Sequence, residues 1–240
     1  MKVNILATGS KCNCVLATFS DGQKVVFDFG EGALEKCCQR NMQKLPLEDL
    51  TKVDNVLITH SHRDHCGDFE KIQGKMFKKS LNVKDFEVLH DVPNKGFVVM
   101  NDATKEGFVY ATDYYEIPEK SFDFLLKLFG FKSWKWMAML ELSYCKWLYE
   151  KLPDNQKFGL SRHCSDVLFF HYAKKIFDVN PAVNIISVHA SGRQSEYLEG
   201  VSKFGSVCPP DHLRKEFYRI FKGKPVRFGH ADFGANFNYI

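Results

Sequence analysis

The sequence predicts an α+β protein in which two β-sheets pack together with helices outside them. Three observations carry that expectation. Short apolar or β-branched runs dominate the first half, helical patterns are interspersed and become commoner after residue 120, and histidines and aspartates stand where strand-like runs end.

Lys2–Thr8, Cys14–Phe19 and Lys24–Asp28 read as strands because they are rich in apolar and β-branched residues. Gly9/Ser10 and Asp21–Gly22 punctuate them, and Asp-Gly between two such runs is a hairpin signal. Glu31–Arg40 follows as a helix and Asn55–Ile58 as the next strand. Phe86–Leu89, Gly96–Met100 and Gly107–Thr112 form a further antiparallel set. Phe122–Phe129 and Tyr144–Leu152 are helical patterns. The longest is Cys164–Phe177, whose Val167, Leu168, Phe170, Ala173 and Phe177 make an apolar face broken only by Lys174. Asn184–Val188 returns as a buried strand ending in His189, and a last helix over Asp211–Phe221 starts just after Pro209–Pro210. No repeat or linker divides the chain, so residues 1–240 are expected to form a single domain.

Apolar content of 45% with 26% charged residues fits a globular protein and excludes a disordered or fibrous one. No apolar stretch approaches the about 18 residues of a membrane span, and MKVNILATGSKC alternates like a strand and not like an export signal. A cytoplasmic protein with no membrane association is the expectation. Eight cysteines in a chain of this size and kind point to free thiols, and no paired CxxC spacing suggests a zinc knuckle. The net charge of +4 suits a polyanionic substrate without identifying one.

The chemistry concentrates in ITHSHRDHCGDF, Ile58 to Phe69, which places His60, His62, Asp64 and His65 within six residues directly after an apolar run. A polar surface loop would not need three imidazoles and a carboxylate so close together. Imidazole nitrogens and carboxylate oxygens suit Zn²⁺, and the mixed set also takes Mn²⁺ or Fe²⁺. His60 and His62 can face one ion while Asp64 and His65 face a second. Four residues do not fill two coordination spheres, and His90, Asp113 and His189, each closing a strand-like run, supply the rest. Asp113 can bridge, because one carboxylate offers two oxygens. Asp91 is a candidate to orient His90 through its other ring nitrogen. Thr59 and Ser61 read as capping or ligand-supporting groups. Lys71, Lys75, Lys78 and Lys79 read first as a solvated face, His171 and His212 as structural or surface residues, and Trp134, Trp136 and Trp147 as packing.

These residues resemble the metallo-β-lactamase fold superfamily, whose hallmark HxHxDH followed by glycine is matched by His60, His62, Asp64, His65 and Gly67. TGSKCNC, VVFDFG, LHDVPNKGFVV at His90, YATD at Asp113, ELSY at Glu141, SRHCSD at His163 and VHASGRQS at His189 extend the likeness in order along the chain. The resemblance implies a four-layer αββα sandwich of two mixed sheets with helices on the outer faces. Within the superfamily the pattern is similar to bacterial and phage DNA exonucleases, with features of the tRNA 3′-processing endonuclease. It implies that His60, His62 and His90 hold one ion and that Asp64, His65 and His189 hold the other, with Asp113 between them. It also implies that Asp64 and Asp113 serve catalysis directly and that Glu141 and His163 form a proton-transfer pair. The chain departs from the exonuclease pattern in Arg162–Cys164, where Gly-His-Leu is usual, and in Tyr114–Tyr115, where Thr-Gly is usual.

The expectation is therefore a phosphodiesterase, foremost a nuclease or exonuclease on DNA, using two divalent ions (Zn or Mn) to activate a hydroxide. A small-nucleotide or cyclic-nucleotide phosphodiesterase is the alternative. A thioester or lactam hydrolase and a non-catalytic binder fit less of the pattern. Arg162 and Arg193 are candidates to contact phosphate, with a solvated surface role as the competing reading.

Overall fold

The computed structural model describes residues 1–8, 12–33, 53–71, 81–150, 154–188, 215–216, 219–221, 227–230 and 236–238. Its strands are β1 (Lys2–Ala7), β2 (Cys14–Thr18), β3 (Lys24–Phe27), β4 (Asn55–Leu57), β5 (Asn82–Val88), β6 (Asn94–Asn101), β7 (Glu106–Ala111), β8 (Lys135–Glu141), β9 (Asn184–Val188), β10 (Arg227–His230) and β11 (Asn236–Asn238). The helices are α1 (Arg63–Cys66), α2 (Glu119–Phe129), α3 (Lys146–Tyr149), α4 (Asp154–Leu160) and α5 (Asp166–Val179). The strands form a five-stranded sheet ordered β11-β1-β2-β3-β4 and a six-stranded sheet ordered β10-β9-β8-β7-β6-β5. Both are mixed: β3–β4 and β7–β8–β9–β10 run parallel, and the other neighbours antiparallel.

Side-chain alternation along the strands sorts the apolar residues into layers. Val3, Ile5, Val15, Ala17, Val25 and Phe27 of the first sheet pack on Phe97, Val99, Phe108, Tyr110, Met137, Met139, Ile186 and Val188 of the second. The intervening residues of the second sheet, among them Val98, Val109, Ala111, Trp136, Ala138 and Ile185, face α2 and α5. Leu6, Leu16, Val26 and Val56 cover the outer face of the first sheet together with Ala33 and Phe29. The two-sheet sandwich with outer helices is thus present.

The sequence reading has no helix at α4 and no strand at β10 or β11, α3 is shorter than the expected Tyr144–Leu152, and three further elements differ from it. β8 escaped it because the strand is buried on both faces from Trp136 onward, so it shows no period of two. β5 begins at Asn82 and not at Phe86, since its exposed Asn82, Asp85 and Glu87 hide a sheet-edge strand. α5 starts one residue after Ser165, whose side chain accepts from the Leu168 amide as an N-cap. Most of the expected helices Glu31–Arg40 and Asp211–Phe221 lie outside the described residues, although 219–221 are helical. Trp136 is fully buried, with Trp134 stacked on it at 5.8 Å. His171 lies on the exposed side of α5. Cys66 and Cys164 are free thiols, whereas Cys145 is disulfide-bonded, against the expectation of thiols throughout. No helix among the described residues is long and apolar enough to cross a membrane.

Candidate metal centre

The site gathers where strands of both sheets end. Asp28 follows β3, and Thr59, His60 and His62 follow β4 and lead into α1, which carries Asp64 and His65. From the other sheet come His90 after β5, Asp113 after β7 and Glu141 at the end of β8, while His163 precedes α5. Asp28 and Asp113 both sit at positive φ, 55° and 52°, where a carboxylate side chain is tolerated better than a branched one. Strained backbone of this kind at a strand end re-aims the side chain, here toward the neighbouring histidines.

Backbone hydrogen bonds fix the histidine-bearing turn. The Asn13 amide donates to the Asp64 carbonyl at 2.7 Å, Phe29 to the His65 carbonyl at 2.6 Å, and Glu31 to the Arg63 carbonyl at 3.0 Å. Gly30 makes this approach possible, because a Cβ there would lie 1.9 Å from the Asp64 carbonyl oxygen.

Three groups of side chains bring their ligand atoms within 4.8 Å of one another: His60, His62, His90 and Asp113; Asp64, His65 and Asp113; and Asp113, Glu141 and His163. Asp113 belongs to all three. His60 Nε2 lies 3.0 Å from His62 Nδ1 and 3.4 Å from Asp113 Oδ2. His65 Nε2 lies 3.4 Å from Asp64 Oδ2 and 3.0 Å from Asp113 Oδ2, and His90 Nε2 lies 3.9 Å from the same oxygen. Two atoms each about 2.1 Å from one cation stand about 3.0 Å apart at right angles and about 3.4 Å apart at tetrahedral angles. Four of these five separations match that spacing. The buried His90 Nε2 makes no hydrogen bond, although Asp91 Oδ1 is 2.9 Å away. The donor set therefore fits divalent cations.

The outer nitrogens are held in place. Thr59 donates to Asp28 Oδ1 through its amide (2.8 Å) and its hydroxyl (2.9 Å), and its hydroxyl oxygen is 3.0 Å from His60 Nδ1. With the hydroxyl proton on Asp28, that oxygen accepts from the His60 Nδ1–H, leaving the Nε2 lone pair for an ion. Asp28 Oδ2 accepts from His65 Nδ1 at 2.8 Å and from the Tyr110 hydroxyl at 3.1 Å. For His90 the outer partner is the Arg162 carbonyl, 3.3 Å from Nδ1. Asp91 does not orient His90 in the expected way. It faces Nε2, and its other oxygen takes the Arg162 guanidinium.

Burial lowers the pKa of His60 and of His90, with Asp113 working partly against it, so both favour the neutral, ligating form. Burial also opposes charge on His65, but Asp28, Asp113 and Asp64 outweigh it and hold that imidazole well above its usual range. Asp64 is lowered because hydrogen bonding and charge from His65 overcome its desolvation.

Glu141, fully buried, accepts from the Tyr114 amide at 2.6 Å and from His163 Nδ1 at 2.8 Å. His163 Nδ1 is also 3.5 Å from Asp113 Oδ1. Eight sequence-derived site residues, His60, His62, Asp64, His65, His90, Asp113, Glu141 and His163, are thus brought together. His189 lies outside the described residues, one position beyond Val188, which pairs with Glu141. Arg193, Lys75, Lys78, Lys79 and His212 lie outside them as well, and of Lys71, Trp147 and His230 only the backbone is described. Sequence reasoning missed Asp28 as a site residue and Asn13 altogether. The signal for Asp28 was the one that found Asp113, an aspartate closing an apolar run.

Residues 7–89 match the Metallo-beta-lactamase superfamily profile. Among solved structures, the chain is similar to human tRNase Z, short form (14% identity, TM-score 0.62, all of both chains covered). It is also similar to the metallo-beta-lactamase fold protein YhfI from Bacillus subtilis (16% identity, TM-score 0.61, 98% of each chain). A third likeness is to Zn²⁺-bound PqqB from Methylobacterium extorquens (10% identity, TM-score 0.57, 99% of this chain and 100% of that one). The profile match and the clustered ligand atoms together support a metal-dependent hydrolase. By the match over residues 7–89 and the fold shared along its whole length, the chain has the metallo-β-lactamase fold.

Proposed function

We propose that the protein is a two-metal phosphodiesterase acting on nucleic acid, with DNA as the leading substrate and exonucleolytic hydrolysis as the leading activity. The observation that carries this reading is the pair of buried Glu141 and partly exposed His163 beside Asp113, at 2.8 and 3.5 Å. His60, His62, His90 and Asp113 would hold one ion, and Asp64, His65 and Asp113, with His189 expected from the sequence, the other. When bound, a pair of Zn²⁺ or Mn²⁺ ions supplies an activated water at neutral pH and positive charge for a phosphoryl oxygen.

The chain's own groups do the rest. Glu141 accepts the His163 Nδ1–H and so fixes the tautomer and ring plane, leaving Nε2 to carry the proton that a departing alkoxide needs. Asp113, reaching both ligand groups and His163, keeps the proton donor in register with the reacting phosphate. Arg162, ion-paired with Asp91 at the rim, can exchange that carboxylate for a phosphate oxygen. The nucleic-acid reading also draws support from the likeness to tRNase Z.

The test is hydrolysis of end-labelled double-stranded DNA, single-stranded DNA, RNA and cyclic nucleotides by the protein loaded with Mn²⁺ or Zn²⁺. Stepwise shortening of DNA from an end is the expected result. Turnover of RNA or of cyclic nucleotides alone would replace DNA by that substrate. Hydrolysis of thioesters or lactams with all phosphodiesters untouched would overturn the reading.

A further inference from the structure

Asn13, in the turn before β2, is 1% exposed, yet its side chain is aimed at ligand atoms and not at the apolar core. Its carboxamide nitrogen lies 2.8 Å from His65 Nε2 and 3.3 Å from Asp64 Oδ2, while those two atoms are 3.4 Å from each other. A triangle with these sides has the dimensions of one face of a coordination polyhedron with bonds of about 2.1 Å, worked out as above. The amide terminus therefore stands at a third corner of that face, and not at the position of the ion itself.

The two ends of a carboxamide have nearly the same shape and exchange by a half-turn about the bond to Cβ. With nitrogen inward, the group donates to Asp64 and, where His65 is neutral, to its Nε2 lone pair; beside a protonated His65 the oxygen stands inward instead and accepts from Nε2–H. A divalent cation sharing those atoms repels the N–H dipole and favours the carbonyl oxygen at the same corner, a hard ligand of the kind that suits Mn²⁺ or Mg²⁺. The position is firmly built. The Asn13 backbone amide donates to the Asp64 carbonyl (2.7 Å), and its carbonyl accepts from Gly30 (3.1 Å), so the side chain cannot drift from the ligands it faces.

We infer that Asn13 is a ligand of the second metal ion through its side-chain oxygen, and that it biases that position toward oxygen-preferring cations. This rests on the two-ion reading above. It adds an oxygen donor to Asp64 and Asp113 beside the imidazole of His65, which makes the second position harder than the histidine-rich first.

Isothermal titration of the chelated protein with Mn²⁺ and, separately, Zn²⁺ tests it. Two binding steps are expected in the wild type, and a single step would count against the two-ion reading itself. Asn13→Ala should weaken the second step by about 10–100-fold for Mn²⁺, and by less for Zn²⁺, while leaving the first step within about 3-fold. Asn13→Asp, which keeps an oxygen at the corner, should retain the Mn²⁺ step and also guards against misfolding of the alanine variant. Unchanged second-step affinity in Asn13→Ala would overturn the assignment. So would equal losses for both metals, or failure of a folded Asn13→Asp to bind the second Mn²⁺.

Discussion

Asp28 is the group on which the second half of the proposed metal site leans, and replacing it by asparagine isolates that role. Asparagine accepts positive φ about as readily as aspartate, so the 55° backbone need not move. The change converts one of two accepting oxygens into a donor. Oδ1 meets the Thr59 amide, which cannot rotate, whereas Oδ2 meets the Tyr110 hydroxyl and the His65 imidazole, which can both adapt. The new NH₂ therefore turns toward Tyr110 and His65. Each loses a hydrogen bond to a charged acceptor, about 1.5–3 kcal/mol apiece. If His65 gives up its Nδ1 proton and accepts from the new NH₂ there, keeping its Nε2–H on Asp113, 3.0 Å away, it recovers its share and the net loss is about 1.5–3 kcal/mol. The functional damage is larger than the stability cost, because without Asp28 to hold Nδ1–H the last proton of His65 stays on Nε2, where an ion needs a lone pair. Asp28→Asn should thus weaken the second metal step about 10–100-fold and spare the His60 side, whose Thr59 contact stays intact. Denaturant unfolding of the chelated protein, metal titration, and ¹⁵N–¹H spectra of the histidine rings read the three quantities. A variant that binds both ions normally, with His65 still protonated at Nδ1, would refute the reasoning.

Three further outcomes are expected. Gly30→Ala drives a methyl into the Asp64 carbonyl and should lower stability by at least the about 1–3 kcal/mol of ordinary overpacking, read as a fall in unfolding midpoint; a midpoint unchanged from wild type would show that the turn can open freely. His163→Ala should cut kcat about 10²–10⁴-fold with metal content intact, and Glu141→Gln less. A bis-nitrophenyl phosphodiester should partly rescue the His163 variant, and equal losses on good and poor leaving groups would argue against proton donation. Because the raised pKa of His65 keeps it protonated at neutral pH, its ion must expel a proton, so affinity at the second position should climb with pH until His65 deprotonates by itself; titration in buffers of different ionisation enthalpy counts that proton, and none released near pH 7 would contradict the assignment.

The sequence indicated the two-sheet scaffold and a set of side chains that this scaffold brings together. His60, His62, Asp64 and His65 were legible from spacing alone, and His90 and Asp113 from their place after apolar runs. All six converge with Glu141 and His163, whose pairing only the family resemblance had suggested. Asp28 and Asn13 stayed hidden for a shared reason. An aspartate or asparagine near a strand end is ordinary turn chemistry, and only the three-dimensional approach of α1 to β2 and β3 turns it toward a ligand. β8 was illegible because a strand covered on both faces loses the alternation by which strands are recognised, and Trp134 and Trp136 drew attention to packing instead.

The order of strands has a consequence of its own for how the molecule reaches and keeps this shape. β10 and β11 come from one short stretch of chain, yet each closes a different sheet: β10 flanks β9, and β11 flanks β1, with Lys2 opposite Asn238. Pairings so distant in sequence form only after a long loop has been closed, which makes them slow steps in folding. Until they form, β1 and β9 each present an open edge of unpaired amides and carbonyls to other chains. A clip or a proline between residues 227 and 238 would uncover both edges together, so self-association, ahead of any loss of metal, is the failure this topology invites.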